Sequence, residues 1–215
     1  MKSIVSAVLF LMLAQGLGAQ KYIDALIIKS DDSVVECLVR TPFHAFKKEL
    51  GYMKTESGKS TKLASTKIKY LILLPETDSE TVLAYTKFNQ YNNRGTSTKT
   101  TKDPLWLRMV SGCEKIELYE FVSSIKSSRS KLFMVYAQQG FTNYYIRRAD
   151  EKIPSMVCMN LDALRPHTTG MAGGKKYNQR ILSAYFNDQP KLKDKIDSEK
   201  VSLNTVFELV NSQCN

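Results

Sequence analysis

The amino-acid sequence predicts an α+β fold, in which an antiparallel β-sheet is followed by two or three C-terminal helices. Short runs rich in β-branched and aromatic residues dominate residues 21–159, and turn-forming clusters separate them. Apolar residues at helical spacing begin only near residue 175. Because consecutive strands joined by short turns pair antiparallel, we expect one continuous sheet, either open or curled into a barrel-like form.

The N-terminal residues have the order of a secretory signal peptide. Lys2 provides a positive charge, an apolar run from Ile4 to Leu13 follows, and small residues lead to Ala19. The apolar run has ten residues, whereas a transmembrane helix needs about 20. We therefore expect cleavage after Ala19, a mature chain that begins at Gln20 without a transmembrane segment, and a periplasmic, cell-surface or secreted location.

The chain without its signal peptide (residues 1–19) has the size of one domain. The remaining 196 residues can bury a hydrophobic core, and the hydrophobic content of the whole chain, 43%, argues against disorder. We assign residues 20–160 to an antiparallel β-sheet region. Residues 161–215 are assigned to a linker and a C-terminal helical region packed on the sheet.

The mature chain is basic, which narrows the class of partner. The formal net charge is +10 for the whole chain and +9 without the signal peptide, which contains Lys2 and no acid. A basic cytosolic protein would suggest nucleic acid, but export argues against that partner. The expected partners are acidic envelope glycans, anionic lipid head groups or acidic proteins; scattered solvated lysines are the simpler alternative.

The predicted strands are short and follow one another closely. They cover residues 22–29, 34–40, 52–55, 67–74, 81–88, 106–110, 115–122, 132–137 and 144–148, with a last strand ending near Met159. The first two strands flank the turn-forming residues 30–33 and should form a hairpin. We expect 52–55 to pair with 67–74, and 132–137 with 144–148. Residues 89–104 and 123–130 are polar and are predicted to be loops.

Helix signals follow an irregular segment that ends at residue 174. The apolar residues at helical spacing are Tyr177, Ile181, Ala184 and Tyr185, then Leu192 and Ile196, then Leu203, Val206, Phe207 and Val210. Pro190 suits the first turn of the second helix, and Ser202 can cap the third. We expect the third apolar stripe to be buried against the sheet or the preceding helix.

Three segments resemble uncharacterised exported proteins of Bacteroidetes bacteria. These segments are the Ala19-Gln20 end of the signal peptide, the opening hairpin, and the sequence Tyr185-Phe186-Asn187-Asp188-Gln189-Pro190-Lys191-Leu192. The similarity consists of short pieces spread over most of the mature chain. It implies export and a similar fold type, and it implies no activity.

The four cysteines are Cys37, Cys113, Cys158 and Cys214, and their wide spacing does not favour a zinc ribbon or a dithiol motif. An even number of cysteines in an exported chain permits up to two disulfides, with three possible connectivities for four cysteines. Cys37 lies in a predicted strand between Val35 and Val39, where it could instead be a buried thiol.

Candidate catalytic motifs fail on their details. The only histidines, His44 and His167, lie in no recognisable triad sequence. Residues 169–176 resemble a phosphate-binding loop. However, only three residues separate Gly170 from Gly174-Lys175, where the motif needs four, and Lys176 stands where serine or threonine is needed. Two S-x-x-K matches lack their companion motifs. We therefore predict no catalytic, metal or cofactor-binding residue.

Acidic and aromatic residues leave two further possibilities. Glu114, Glu117 and Glu120 occupy one predicted strand region, where Glu114 and Glu120 would share a face. Such carboxylates could serve glycoside hydrolysis, although solvent-facing acids are the simpler interpretation. The notable aromatic residues are Tyr85, Phe88, Tyr91, Trp106, Phe141, Tyr144 and Tyr145. They fit a stacking surface, but we expect them to belong mainly to the core.

The possible ligand-binding residues are Arg94, Lys99, Lys102, Lys126, Arg129, Arg147 and Arg148. If their segments meet at one end of the sheet, they form a basic rim suited to an acidic ligand. The sequence therefore favours a non-enzymatic cell-envelope or secreted binding module with a basic surface. The alternative is an extracellular or periplasmic hydrolase acting on glycan or peptide, which would need His44 or His167 in a pocket beside Ser, Cys, Asp or Glu.

Overall fold

Strands precede helices along the chain, as predicted. The computed structural model describes residues 21–92, 94–128, 131–135, 141–161, 172–198, 201 and 203–214. Within these residues, fifteen strands form two sheets and three helices follow them, so the α+β class with a mostly antiparallel sheet is confirmed. The predicted signal peptide lies outside the described residues, as do residues 162–171 of the predicted irregular segment 161–174. The rest of that prediction is wrong, because Leu161 ends a strand and residues 172–174 begin a helix.

The strands and helices have the following bounds. The strands are β1 (Lys21–Lys29), β2 (Val34–Thr41), β3 (Phe43–His44), β4 (Glu49–Met53), β5 (Thr61–Ala64), β6 (Ile68–Leu73), β7 (Thr81–Thr86), β8 (Asn89–Tyr91), β9 (Thr98–Thr100), β10 (Leu105–Cys113), β11 (Ile116–Phe121), β12 (Ser124–Ser128), β13 (Lys131–Val135), β14 (Phe141–Arg148) and β15 (Ser155–Leu161). The helices are α1 (Ala172–Tyr185), α2 (Pro190–Ser198) and α3 (Leu203–Cys214).

Twelve strands form one large sheet. Their order is β5-β4-β2-β1-β6-β7-β10-β11-β14-β15-β8-β9, and the second sheet has the order β13-β12-β3. All pairs are antiparallel except β15 with β8, which meet in parallel at Ser155 and Asn89. In the described part of the chain the order of the large sheet is linear and leaves two edge strands, β5 and β9, so this sheet is not closed.

Two predicted strand pairs are wrong. Strand β4 pairs with β5 and not with β6, because β6 lies inside the sheet between β1 and β7. The buried side chains of Ile68, Leu71 and Leu73 suit β6 to that central position. Strand β13 pairs with β12 in the small sheet, and β14 instead lies between β11 and β15.

Both predicted loops contain strands. Residues 89–104 include β8 and β9, which pair as a hairpin. Residues 123–130 include β12, which pairs with β13 and β3. In β12 the side chain of Ile125 is buried in the same hydrophobic cluster as Phe43 and Trp106, and this burial together with the interstrand hydrogen bonds outweighs the polar composition of the segment.

The helices cover one part of the large sheet. Leu118, Ile146 and Val157 of the sheet pack in one cluster with Leu182 and Val206 of the helices. The predicted stripe of α3 is fully buried at Val206 and Val210. Phe207 is partly buried and packs edge-on against Tyr144, with 6.3 Å between the ring centroids. No helix in the described residues has the length and apolar character needed to cross a bilayer.

The predicted core role of the aromatic residues is confirmed for Trp106, Tyr144 and Tyr145, which are all buried. Trp106 contacts the rings of Phe43 and Tyr85 in a second cluster beneath the small sheet. The side chains that carry the most apolar area therefore stabilise the sheet and are not part of an open stacking surface.

One disulfide joins the sheet to the last helix. Cys113 at the end of β10 is bonded to Cys214 at the end of α3, across a sequence separation of 101. Cys37 and Cys158 are buried free thiols, and burial raises the pKa of the first to about 11 and that of the second to about 12. Both thiols are therefore protonated at neutral pH and behave as small apolar side chains.

Candidate functional site

The β8–β9 hairpin is built around a single asparagine. The side-chain oxygen of Asn92 accepts hydrogen bonds from the backbone N–H groups of Arg94 at 3.1 Å and Thr96 at 3.0 Å. Its amide nitrogen donates to the hydroxyls of Thr96 and Ser97. These bonds satisfy the polar groups of the turn locally, which explains how a polar segment without an apolar pattern forms a hairpin.

The hairpin is anchored to the sheet through Asn89. The backbone N–H of Asn89 donates to the carbonyl of Pro154 at 2.8 Å, and its side-chain amide donates to the hydroxyl of Ser155. The hydroxyl of Thr100 on β9 donates to the side-chain oxygen of Asn89 at 2.8 Å. One residue thus links β15, β8 and β9 and fixes the hairpin at the edge of the sheet.

The tip of the hairpin lies against helix α1. Gly95 has φ +72°, and a Cβ atom at this position would be 3.3 Å from the carbonyl oxygen of Arg180 and 3.5 Å from the Cβ of Ala184. A residue with a side chain would be strained here both by its φ angle and by its contact with the helix. Glycine therefore allows a close approach between helix α1 and the hairpin turn that contains Arg94.

Arg180 also lines a groove between α1 and α2. The groove has a volume of about 390 Å³ and is lined by Lys176, Gln179, Arg180, Ser183 and Asp197. The side-chain amide of Gln179 donates to the carbonyls of Ile196 at 3.0 Å and Asp197 at 2.9 Å, so it ties α1 to the end of α2.

Asp197, the acid of this groove, has partners of its own. The ammonium of Lys193 lies 2.6 Å from a carboxylate oxygen of Asp197. Hydrogen bonds from Lys193 and then Ser183 lower the pKa of Asp197 below its usual value. The negative charge of Asp197 is therefore already balanced by Lys193. The other charged residues that line the groove, Lys176 and Arg180, are exposed cations.

Five exposed basic residues form what we name the hairpin–helix surface. Its members are Arg94, Lys99 and Lys102 on and beside the hairpin, and Lys176 and Arg180 on α1. Asp103, the acid next to Lys102, is 3.5 Å from the ammonium of Lys48, and both partners are well exposed. This pair is weak because exposed ion pairs are screened by solvent. The surface therefore carries an excess of positive charge.

The sequence-predicted residues fall into three groups. Arg94 lies in the turn of the hairpin, Lys99 lies in β9, and Lys102 follows two residues after the end of β9. Lys126 is exposed on β12, which belongs to the small sheet, and Arg129 lies outside the described residues. Arg147 and Arg148 are neighbours in β14, so their side chains point to opposite faces of the large sheet, and each has an acidic partner there.

Arg147 belongs to a polar cluster on the face opposite the helices. Its Nε donates to Glu117 at 2.6 Å, and its Nη2 donates to the hydroxyl of Tyr70 at 2.6 Å. The hydroxyls of Tyr70 and Tyr119 each donate to a different carboxylate oxygen of Glu117, both at 2.6 Å. Burial, followed by the hydrogen bond to Glu117, raises the pKa of Tyr70.

This cluster also shows that the sheet curves. Strands β7, β10 and β11 separate β6, which carries Tyr70, from β14, which carries Arg147. In a flat sheet β6 and β14 would lie about 19 Å apart, at about 4.8 Å per strand. Side chains that stand off a flat sheet could not meet over that distance, so the large sheet curves with this face inside.

Arg148 closes the C-terminal end of helix α1. Its terminal nitrogens donate to the carboxylate of Asp188 at 2.5 Å and to the backbone carbonyl of Tyr185 at 2.7 Å. Its guanidinium carbon is 4.7 Å from the centroid of the Tyr185 ring, and the hydroxyl of Tyr185 donates to Glu151. The hydrogen bond from Arg148 lowers the pKa of Asp188. Arg148 thus stabilises the junction of helix and sheet.

The carboxylates considered for hydrolysis are not brought together. Glu114 is exposed in the turn between β10 and β11, and Glu117 and Glu120 point to opposite faces of β11. Glu117 is bound by Arg147, and Glu120 by Arg108, whose Nε lies 2.5 Å from it. The expected shared face of Glu114 and Glu120 is therefore wrong, because β11 begins only at Ile116.

The histidines give the hydrolase hypothesis no support in the described part of the chain. His44 is exposed on β3, and His167 lies outside the described residues. Within those residues there is also no group of three His, Cys, Asp or Glu side chains that could hold a metal ion.

Comparisons of this chain with protein-family models, with curated proteins and with solved structures find no match. The function is therefore proposed from the geometry of the described residues. Sequence reasoning missed Lys176 and Arg180, since it assigned Lys176 to a loop-like motif. Their four-residue spacing places them on one side of α1 and was the available signal.

Proposed function

We propose that this protein is a non-enzymatic binding module that holds an acidic ligand on the hairpin–helix surface. The observation that carries the proposal is the contact of Gly95 with the backbone of Arg180. Gly95 and Arg180 are 85 residues apart in sequence, and their contact brings the turn that contains Arg94 to the helix that carries Lys176 and Arg180, next to a groove. Clustered charge of one sign attracts ligands of the opposite sign and raises their rate of association.

The contrast with the other arginines supports this assignment. Arg108, Arg147 and Arg148 each have a carboxylate partner within the fold. The basic residues of the hairpin–helix surface are exposed, and the acids near them, Asp103 and Asp197, contact other lysines. A bound acidic group would therefore add charge pairs without breaking an internal one.

The location outside the cytoplasm is part of the same proposal. It rests on the signal-like order of residues 1–19 and on the resemblance to exported proteins of Bacteroidetes bacteria. In that setting the acidic ligands are glycans, lipid head groups or proteins that carry carboxylate or phosphate groups. Mass spectrometry of the exported protein should find a mature N-terminus at Gln20, and an intact Met1 would contradict export by cleavage.

A charge-matched comparison tests the binding surface. The site variant combines Arg94→Ser, Lys176→Ser and Arg180→Ser. The control variant combines Lys54→Ser, Lys59→Ser and Lys67→Ser, three exposed lysines elsewhere on the fold. Both variants remove three positive charges, so they separate a local surface from the effect of net charge.

We expect the site variant to bind acidic glycans, anionic vesicles or acidic peptides at least about tenfold more weakly than the native chain, and the control variant to bind within about twofold. Binding by the native chain should weaken as salt rises, because salt screens exposed charges beyond about 8 Å at physiological ionic strength. Equal losses in the two variants, or no binding to any acidic probe, would overturn the proposal.

A further inference from the structure

The outer side of strand β9 is an open edge within the described residues, where β9 pairs only with β8. We propose that the acidic ligand is an extended acidic polypeptide that adds to β9 as a further strand of the large sheet. The proposal rests on the proposed function, since it uses the same basic surface, and it adds the class of partner and the way it binds.

The hydrogen bonds of the hairpin identify which backbone groups of β9 face outward. The N–H of Asn92 donates to Ser97, and the N–H of Thr101 donates to Phe88. In an antiparallel pair, every second residue directs its N–H and C=O toward the partner strand. Ser97, Lys99 and Thr101 therefore bond to β8.

Thr98 and Thr100 have the other orientation. Their N–H and C=O groups point away from β8, and both residues are exposed. They present two donors and two acceptors at the spacing of an extended chain, which repeats every two residues, or about 6.8 Å. Strand addition uses this pattern of backbone groups.

The charges of this edge favour an acidic partner over a second copy of the chain. Lys99 projects from the face of β9 opposite to that of Thr98 and Thr100. Lys102 follows the strand and Arg94 lies in the turn before it. If the β9 edge of a second copy paired with this edge, like charges would lie side by side. Acidic side chains on an added strand would instead form cross-strand pairs of opposite charge.

The edge also favours a polypeptide over a glycan or a lipid head group. Those ligands can pair with the ammonium and guanidinium groups, but they lack the regular alternation of N–H and C=O that the outer side of β9 matches. The polypeptide class is therefore the one that uses the basic side chains and the backbone edge together.

The test compares two labelled peptides of about ten residues. Both alternate glutamate and threonine, and the second is N-methylated at every residue, so it has the same charge but neither of its edges can form the backbone ladder. Polyphosphate and anionic vesicles serve as acidic probes that have no peptide backbone. All probes are measured against the native chain at low and at high salt.

The matching protein variants change one backbone donor. Thr98→Pro removes an N–H that faces outward and leaves the β8–β9 hydrogen bonds in place, since proline is tolerated on an edge strand in this position. Thr98→Val keeps the N–H and is the control. We expect Thr98→Pro and N-methylation of the peptide each to weaken binding at least about tenfold, and Thr98→Val to change it less than about threefold.

The outcomes separate this inference from the proposed function. If the N-methylated peptide binds the native chain as tightly as the unmodified one, strand addition is overturned, even if Arg94, Lys176 and Arg180 are still required. If only polyphosphate or vesicles bind, the polypeptide partner is overturned and the basic surface stands. If no acidic probe binds, both proposals are overturned. The N-methylated peptide gives its answer on the native chain, so the test does not depend on the folding of Thr98→Pro.

Discussion

Two sets of basic residues in this protein share their chemistry and differ in their surroundings. In the large sheet, neighbouring strands or the turn between α1 and α2 supply a carboxylate to Arg108, Arg147 and Arg148. On the hairpin–helix surface, Arg94 and Arg180 project from a strand turn and a helix into solvent. The difference teaches that the number of basic residues does not define a binding surface; what matters is which of them the fold has already neutralised.

The two sets should also differ in what they contribute to stability. Removing one partner of a buried ion pair leaves a charge without compensation and costs about 3–5 kcal/mol. Removing an exposed charge changes the free energy of unfolding by about 0–1 kcal/mol. Substitutions in the two sets therefore test the comparison directly, and their expected effects range from about 3 kcal/mol down to less than about 0.5 kcal/mol.

The largest effect is expected at the pair of Arg108 and Glu120, which lies on the helix-facing side of the sheet. The side chain of Glu120 is 5% exposed and that of Arg108 is 29% exposed. Arg108→Met would leave the Glu120 carboxylate buried without this partner. We expect a loss of about 3 kcal/mol in the free energy of unfolding, measured by urea denaturation.

A double variant is the control for this prediction. Arg108→Met combined with Glu120→Leu removes both charges and keeps apolar volume, so it should recover most of the lost stability. If Arg108→Met alone unfolds at the same urea concentration as the native chain, then Arg108 is no more important to the fold than a surface residue, and the contrast between the two sets fails.

Sequence patterns predict the elements of this fold better than the contacts between them. The turn of residues 30–33 and the apolar stripe with Val206 and Val210 are local features, so the sequence identifies them correctly. Strand neighbours are not local: an alternating pattern shows which face of a strand is buried, but not which strand lies beside it. This is why the sequence pairs β6 with the wrong partner. The β8–β9 hairpin is missed for a different reason: it is held by polar bonds of Asn92, and its segment has no apolar alternation that would indicate strands.

The candidate site is predictable only in part for the same reason. The sequence identifies Arg94, Lys99 and Lys102, because they lie in one polar segment. It does not show that Gly95 packs on α1, since a glycine in a polar loop is usually just a turn residue. Nor does it show that Arg147 and Arg148, which in the sequence also look like free basic residues, form ion pairs with Glu117 and Asp188.

A smaller loss of stability is expected at Asp188, which is exposed to solvent although its partner, Arg148, is largely buried. The side chain of Asp188 is 61% exposed, although it is bound by Arg148. Asp188→Asn should lower the free energy of unfolding at neutral pH by less than about 1 kcal/mol, because solvent screens the pair. Arg148 keeps its bond to the carbonyl of Tyr185, which limits the loss further.

The pH dependence gives this prediction its sign. The pKa of Asp188 is lower in the folded chain, so the folded state binds this proton more weakly than the unfolded state does. Its contribution is therefore present above the unfolded pKa of about 3.9 and is lost as the pH falls through the folded pKa. The difference in stability between the native chain and Asp188→Asn should shrink below about pH 4. A difference that grows toward acid pH would contradict the pairing.

The smallest effect on stability is expected on the hairpin–helix surface itself. Arg94→Ser with Arg180→Ser should change the free energy of unfolding by no more than about 0.5 kcal/mol, since both side chains are exposed and the helix contact of the hairpin is made by Gly95. The same variant should lose affinity for acidic probes, so stability and binding are expected to separate. Thermal unfolding and a binding titration on one protein sample measure both quantities. A clear loss of stability would mean that these arginines hold the hairpin against α1, and the surface would then be a structural contact like those of Arg147 and Arg148.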